Sequence, residues 1–185
     1  MDSCFKDLYH TTLRKNLCQT LGLKNLNMVP RLEKIVINAG VKAAAQDSKV
    51  LNYVNDGLTA LAGQKPVKTK AKKSIAGFKI REGVQIGCMV TLRGKIMYNF
   101  LEKLIKLVIP SIRDFRGLPP RFDACGNYNL GLKDWTVFQE IDFDRFPNAH
   151  GLNITMHIKG GNNKEASCAL LKSFGMPFID TAKKG

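Results

Sequence analysis

Two alternating runs separated by a glycine-bearing stretch constrain this chain more than any other feature of it. From Val67 to Lys72, small or apolar residues (Val67, Thr69, Ala71) take turns with lysines (Lys68, Lys70, Lys72). From Val84 to Arg93, the apolar set Val84, Ile86, Cys88, Val90 and Leu92 interleaves with Gln85, Gly87, Met89, Thr91 and Arg93. Successive side chains of a strand point to opposite faces, so a period of two predicts two strands. Paired antiparallel, they leave residues 73–83 as a long connecting loop. The alternation predicts three ammonium groups in a row on one face of the first strand. The second strand is expected to contribute a polar face whose small residues permit close approach.

Weaker periodicities surround that pair. Ser3 is placed to cap a first helix carrying Phe5, Leu8, Leu13, Leu17 and Leu21, with Gly22 as its stop. After Pro30, the Ile- and Val-rich run from Leu32 to Asn38 reads as a strand. Val50, Leu51, Val54, Leu58 and Leu61 have helical spacing, closed by Gly63. A further helix from about Lys95 to Ile109 carries Met97, Phe100, Leu101, Leu104, Ile105 and Val108, and Pro110 is expected to end it. Glycines and prolines punctuate the chain from Arg113 to Gly131. Trp135 to Phe138 and Asn153 to Lys159 read as strands, and Asn163 as the cap of a closing helix through Phe174.

No linker, repeat or low-complexity tract interrupts the 185 residues, so a single domain over 1–185 is expected. The 44% hydrophobic content supplies a core. Interleaved helices and strands with a hairpin predict an α+β class. Its mainly antiparallel sheet would carry helices packed on one face, leaving the other face and the long basic hairpin loop free.

Charge indicates what that free face meets. Lys and Arg number 29 against 15 Asp and Glu, a net of +14. Such a field favours a polyanion, either nucleic acid or an anionic membrane, without choosing a fold. Between Lys65 and Lys95 there are nine basic residues and one acid, Glu82. A merely solvated surface mixes its signs. The loop residues Lys72, Lys73, Ser74, Gly77, Lys79 and Arg81 offer cations and a flexible glycine that phosphates attract. Phe78 either packs a base or sugar on its ring or belongs to the core.

Chemistry of its own finds no support. The cysteines Cys4, Cys18, Cys88, Cys125 and Cys168 are scattered without a C-x-x-C pair, and read as reduced apolar thiols. His10, His150 and His157 lack metal-ligand spacing. The segment from Gly87 to Ile96 fails as a phosphate-binding loop. Six residues separate its glycines, and Ile96 stands where a magnesium-binding hydroxyl belongs. The acidic run Glu140, Asp142, Asp144 suits a solvated edge or a basic partner protein better than a metal. No enzyme, cofactor or metal is expected. A phosphate-substrate enzyme would need a phosphate loop, a metal site or an acid–base pair. A membrane-binding protein would place its charge on an amphipathic helix. Here the charge lies on a strand pair and loop, and no apolar run approaches ~18 residues. The segment from Met1 to Thr20 lacks the apolar core of a signal peptide. No membrane partner is expected.

Several ordered blocks resemble a known family. They are Val29 to Asn38 (VPRLEKIVIN), Ala62 to Val67 (AGQKPV), Ala71 to Phe78 (AKKSIAGF) and Val90 to Gly94 (VTLRG). Arg113 to Gly117 (RDFRG), Gly126 to Tyr128 (GNY) and Gly175 to Phe178 (GMPF) continue the order. Together they resemble the bacterial-type large-subunit ribosomal protein number five, which binds 5S ribosomal RNA. The resemblance implies a structural constituent of the central protuberance, on a bacterial or organellar ribosome. The implied partners are 5S rRNA, large-subunit rRNA, the P-site tRNA and other ribosomal proteins, including one of the small-subunit head. It marks Asn38, Gln64 and Thr91 as polar residues at the 5S contact, beside Lys68, Lys70 and Arg93 from the charge pattern. It also marks the loop from Lys72 to Arg81 as tRNA-facing. Cys125 departs from the family's usual arginine, and Asn153 from a common aspartate.

Overall fold

The computed structural model of the chain describes residues 5–41, 44, 48–113, 115–141, 148–160 and 164–179. The caps expected of Ser3 and Asn163, Cys4, and the acids Asp142 and Asp144 lie outside them. In chain order the elements are α1 (Phe5–Leu8), α2 (Arg14–Thr20), β1 (Arg31–Gly40), α3 (Ser48–Ala62), β2 (Val67–Lys70) and β3 (Gln85–Leu92). There follow α4 (Gly94–Lys103), α5 (Ile109–Ser111), β4 (Tyr128–Leu132), β5 (Leu152–Lys159) and α6 (Lys164–Ser173). The five strands form one sheet in the order β2-β3-β1-β5-β4. This is the antiparallel α+β architecture that the interleaved periodicities predicted. The chain gathers into two compact units. One holds residues 1–35, 93–129 and 155–185; the other holds 36–92 and 130–154.

In the first unit a π-helical turn, Tyr9–Leu13, joins α1 to α2. The wider turn rotates the apolar stripe, so that Tyr9 is buried with Phe5 and Leu17 while Leu8 and Leu13 are half-exposed. Phe174 gathers these rings: its centroid lies 5.3 Å from Phe5, 6.2 Å from Tyr9 and 6.1 Å from Tyr98. The long helix after Gly94 uses the same device, with a π turn at Leu104–Val108 before α5. All six residues of its expected stripe are buried. Pro110 does not stop it. Following the π turn, the proline falls in the first turn of α5, where its missing N–H costs no hydrogen bond, and the backbone becomes extended at Ile112.

In the second unit α3 buries Leu51, Val54, Leu58 and Leu61, and Gly63 leaves it at φ +67°. The strand expected from Trp135 to Phe138 is instead a series of turns. Phe138 N–H donates to the Trp135 carbonyl and Ile141 N–H to that of Phe138. Asp134 Oδ1 accepts from Thr136 N–H. A spacing of three, not two, thus buries Trp135, Phe138 and Ile141 together. The converse error is β4, which was not expected in a stretch rich in turn residues. Tyr128, Leu130 and Leu132 are buried there and alternate with exposed Asn129 and Gly131.

Candidate nucleic-acid interface

The antiparallel register of β2 and β3 decides which side chains share a face. Val67 lies opposite Met89, Lys68 opposite Cys88 and Thr69 opposite Gly87. Cys88 is fully buried with its Sγ 3.9 Å from the Leu51 carbonyl of α3, so its face is the one the helix covers. Lys68 stands on that side too. Its ammonium donates to Asn52 Oδ1 of α3. The register then shifts between Thr69 and Lys70, so strict alternation ends there.

The expected row of three lysines is therefore corrected. Lys68 is held at the helix side, Lys70 is exposed past the shift, and Lys72 lies beyond the end of β2. The open side of the hairpin stem is uncharged. It carries Val67, Thr69, Gly87, Met89 and, further along β3, the half-buried Thr91. The missed signal was parity. Pairing the small residues of β2, not its lysines, with the polar set of β3 would have put Thr69 on this face.

Gly87 keeps the face flat. A Cβ there would meet the Ala39 carbonyl oxygen at 2.8 Å and Thr69 Oγ1 at 2.9 Å, both too close. On β1, Asn38 is half-exposed between the buried Ile37 and Ala39, so it points away from their face. Gln64 is exposed in the connection from α3 to β2. Arg93, also exposed, follows the last residue of β3 in extended conformation and precedes α4 in the first unit.

The connection between the strands carries structure of its own. Ala71 N–H donates to Val84 O (2.8 Å) and Gly83 N–H to Ala71 O (3.0 Å), continuing the hairpin past β2. Further out, Ile75 and Ile80 exchange two hydrogen bonds, of 2.9 and 3.2 Å. Residues Ala76–Phe78 form a 3₁₀ turn at the tip, and Lys79 closes it at φ +54°, the left-handed region. Ser74 Oγ accepts from Glu82 N–H across the base of this tip (2.9 Å). Lys72, Lys73, Ser74, Gly77, Lys79 and Arg81 are all exposed. Phe78 is 64% exposed, which decides against core packing for its ring.

Two chemistries thus adjoin along one hairpin. The stem offers small, neutral, partly polar side chains, and the tip offers cations around a bare aromatic ring. Within the stem, burial pushes the Cys88 thiol up, with Lys68 pulling the other way. That makes Cys88 a packed thiol, not a nucleophile. No cluster of metal-binding side chains occurs among the described residues. Among them, too, no helix is long and apolar enough to cross a membrane.

Comparison with known proteins agrees with the residue blocks. The family described as ribosomal protein L5 matches residues 25–81, and the model of that ribosomal family's C-terminus matches 85–178. A large ribosomal subunit protein uL5 of Psychrobacter cryohalolentis is 51% identical over 94% of this chain and 97% of its own length. That of Geobacter sulfurreducens is 49% identical over the same shares. That of Acidobacterium capsulatum is 48% identical over 98% of this chain and 100% of its own. The chain belongs to the ribosomal protein L5 family, whose members are structural ribosomal components and not enzymes.

Proposed function

We propose that the protein is a constituent of the large ribosomal subunit that binds 5S rRNA through the open face of its strands. The observation that carries this reading is the pairing of a flat, neutral strand face with an exposed cationic tip. The face, with Asn38, Thr91 and nearby Gln64, supplies directional hydrogen bonds to bases or ribose hydroxyls. Lys70 and the tip cations Lys72, Lys73, Lys79 and Arg81 displace counterions from phosphates. The tip, projecting Phe78, contacts the elbow of the P-site tRNA. Assembly with large-subunit rRNA and a bridge to a protein of the small-subunit head complete the reading, and its place is the ribosome.

Binding of the purified protein to 5S rRNA against a tRNA competitor, across a salt series, tests it. Selective, salt-sensitive binding that weakens in Gln64→Ala and Thr91→Ala supports the assigned face. Equal affinity for both RNAs, untouched by those substitutions, sinks it.

A further inference from the structure

A second basic feature lies in the first unit and owes nothing to the hairpin. A cavity of about 480 Å³ opens beside the π turn of the N-terminal helix. Arg14, Arg31, Lys159 and His10 line it together with Tyr9, and none of its lining residues is acidic. They come from three separated stretches of chain, so no run of charge in the sequence announces them.

The site is built, not merely charged. Arg14 Nε donates to the Leu26 carbonyl (3.2 Å) and its Nη2 to Asn27 Oδ1 (2.7 Å), which fixes the guanidinium. Asn27 is itself positioned, its N–H donating to Asn25 Oδ1 (2.9 Å). The Tyr9 hydroxyl donates to the Pro30 carbonyl at 3.0 Å, so the floor is held as well. At the end of β5, Gly160 adopts φ +84°. A Cβ on it would sit 3.4 Å from the Met28 and Val29 carbonyls and from Pro30 Cα. The 3₁₀ turn at the rim leaves Leu26 45% and Met28 60% exposed. Burial raises the Tyr9 phenol, while Arg14 and Arg31 pull it down, a sign that both cations act at the cavity floor.

We propose that this cleft is a second RNA-binding site, taking a backbone phosphate between Arg14, Arg31 and Lys159 and packing its nucleoside on Leu26 and Met28. A preorganised arginine and two further cations suit a phosphodiester. The bare apolar rim suits a base or ribose better than it suits free phosphate. The cleft then gives the protein two separate holds on RNA.

The test uses the full chain, isotope-labelled for NMR and titrated with a short uridine oligonucleotide at low salt. Amide shifts at His10, Asn27 and Gly160 are expected. They should persist in the hairpin variant Lys72→Gln/Lys79→Gln/Arg81→Gln and vanish in Arg31→Gln/Lys159→Gln. The latter should also lower the salt slope of oligonucleotide binding by about 1.4, at ~0.7 per lost phosphate contact. Both substituted residues are exposed, and an unchanged melting midpoint shows that the fold survives. Unmoved cleft amides while the hairpin amides shift would overturn the proposal. So would equal shifts with polyglutamate, which would make the cleft an acidic-protein surface, or with inorganic phosphate, which would leave no role for the rim. Because the two sets of variants are scored at different amides, failure of the cleft and failure of the hairpin reading are separable.

Discussion

In the stem of the β2–β3 hairpin Cys88, Val90 and Leu92 are buried on the side facing α3, while at its tip Ile75, Phe78 and Lys79 all stand in solvent. The two regions belong to one continuous ladder, since backbone hydrogen bonds run from β2 out to Ile75 and Ile80. What differs is the source of order. The stem is ordered by side chains removed from water against a helix. The tip is ordered by backbone geometry alone: a narrow bridge, a 3₁₀ turn, one left-handed lysine and the Ser74–Glu82 bond. Its side chains are therefore free for a partner. A packed support beneath a presented tip is a sensible division for a protein that must hold a polyanion.

The comparison is sharpest in core truncation. Leu92 is fully buried, so Leu92→Ala should cost about 2–5 kcal/mol in urea unfolding. Phe78→Ala should stay within about 0.5 kcal/mol, because its ring touches mostly water, yet it should weaken tRNA binding. Equal stability losses in the two variants would mean that the tip is packed after all.

The glycines give the next contrast. Gly87→Ala drives a Cβ into the Ala39 carbonyl and should destabilise by about 1–3 kcal/mol. Gly77→Ala meets nothing within 4 Å at an ordinary φ, so its melting midpoint should barely move.

Alkali should act on the stem alone. Burial raises the Cys88 pKa in the folded state, so its contribution is complete below the unfolded thiol value. That contribution is lost as pH rises from about 8.5, where the unfolded thiol ionises. A fall in stability above that pH that is smaller in Cys88→Ala is expected. An identical fall in both would remove the thiol from the account.

The lysines provide a subtler break. Lys72→Met should lower the salt slope of RNA binding by roughly 0.7–0.9. Lys68→Met should hardly change it, because that ammonium is engaged by Asn52 on the helix side. Equal slope losses would restore the lysine row. Smallest of all, Lys79→Gly should raise stability by at most ~1 kcal/mol through relief of the left-handed backbone, while weakening RNA binding by one cation.

Much of this was legible in advance. Period-two runs located β3 and β5, and period-3.6 runs located α3 and the long helix through Val108, because burial against one neighbour imposes those spacings directly. The basic tip was legible for a related reason. Cations without acids beside them gain nothing from a core and remain outside. β4 and the turns around Trp135 were not legible: Gly131 and Asn129 are turn formers that tertiary pairing overrode, and a spacing of three at Trp135, Phe138 and Ile141 resembles neither period over so short a stretch.

By itself, then, the sequence determined the α+β class, the position of the hairpin, the polyanionic partner and, through its ordered residue blocks, the family. Tertiary structure alone decided which residues act together. The register of β2 against β3 sent Lys68 to the helix and Thr69 to the open face, and folding assembled Arg14, Arg31 and Lys159 around one cavity. The physical reason is the same in both cases. Periodicity reports how each element meets its nearest neighbour, whereas register and the convergence of distant segments are set by packing that no local window contains.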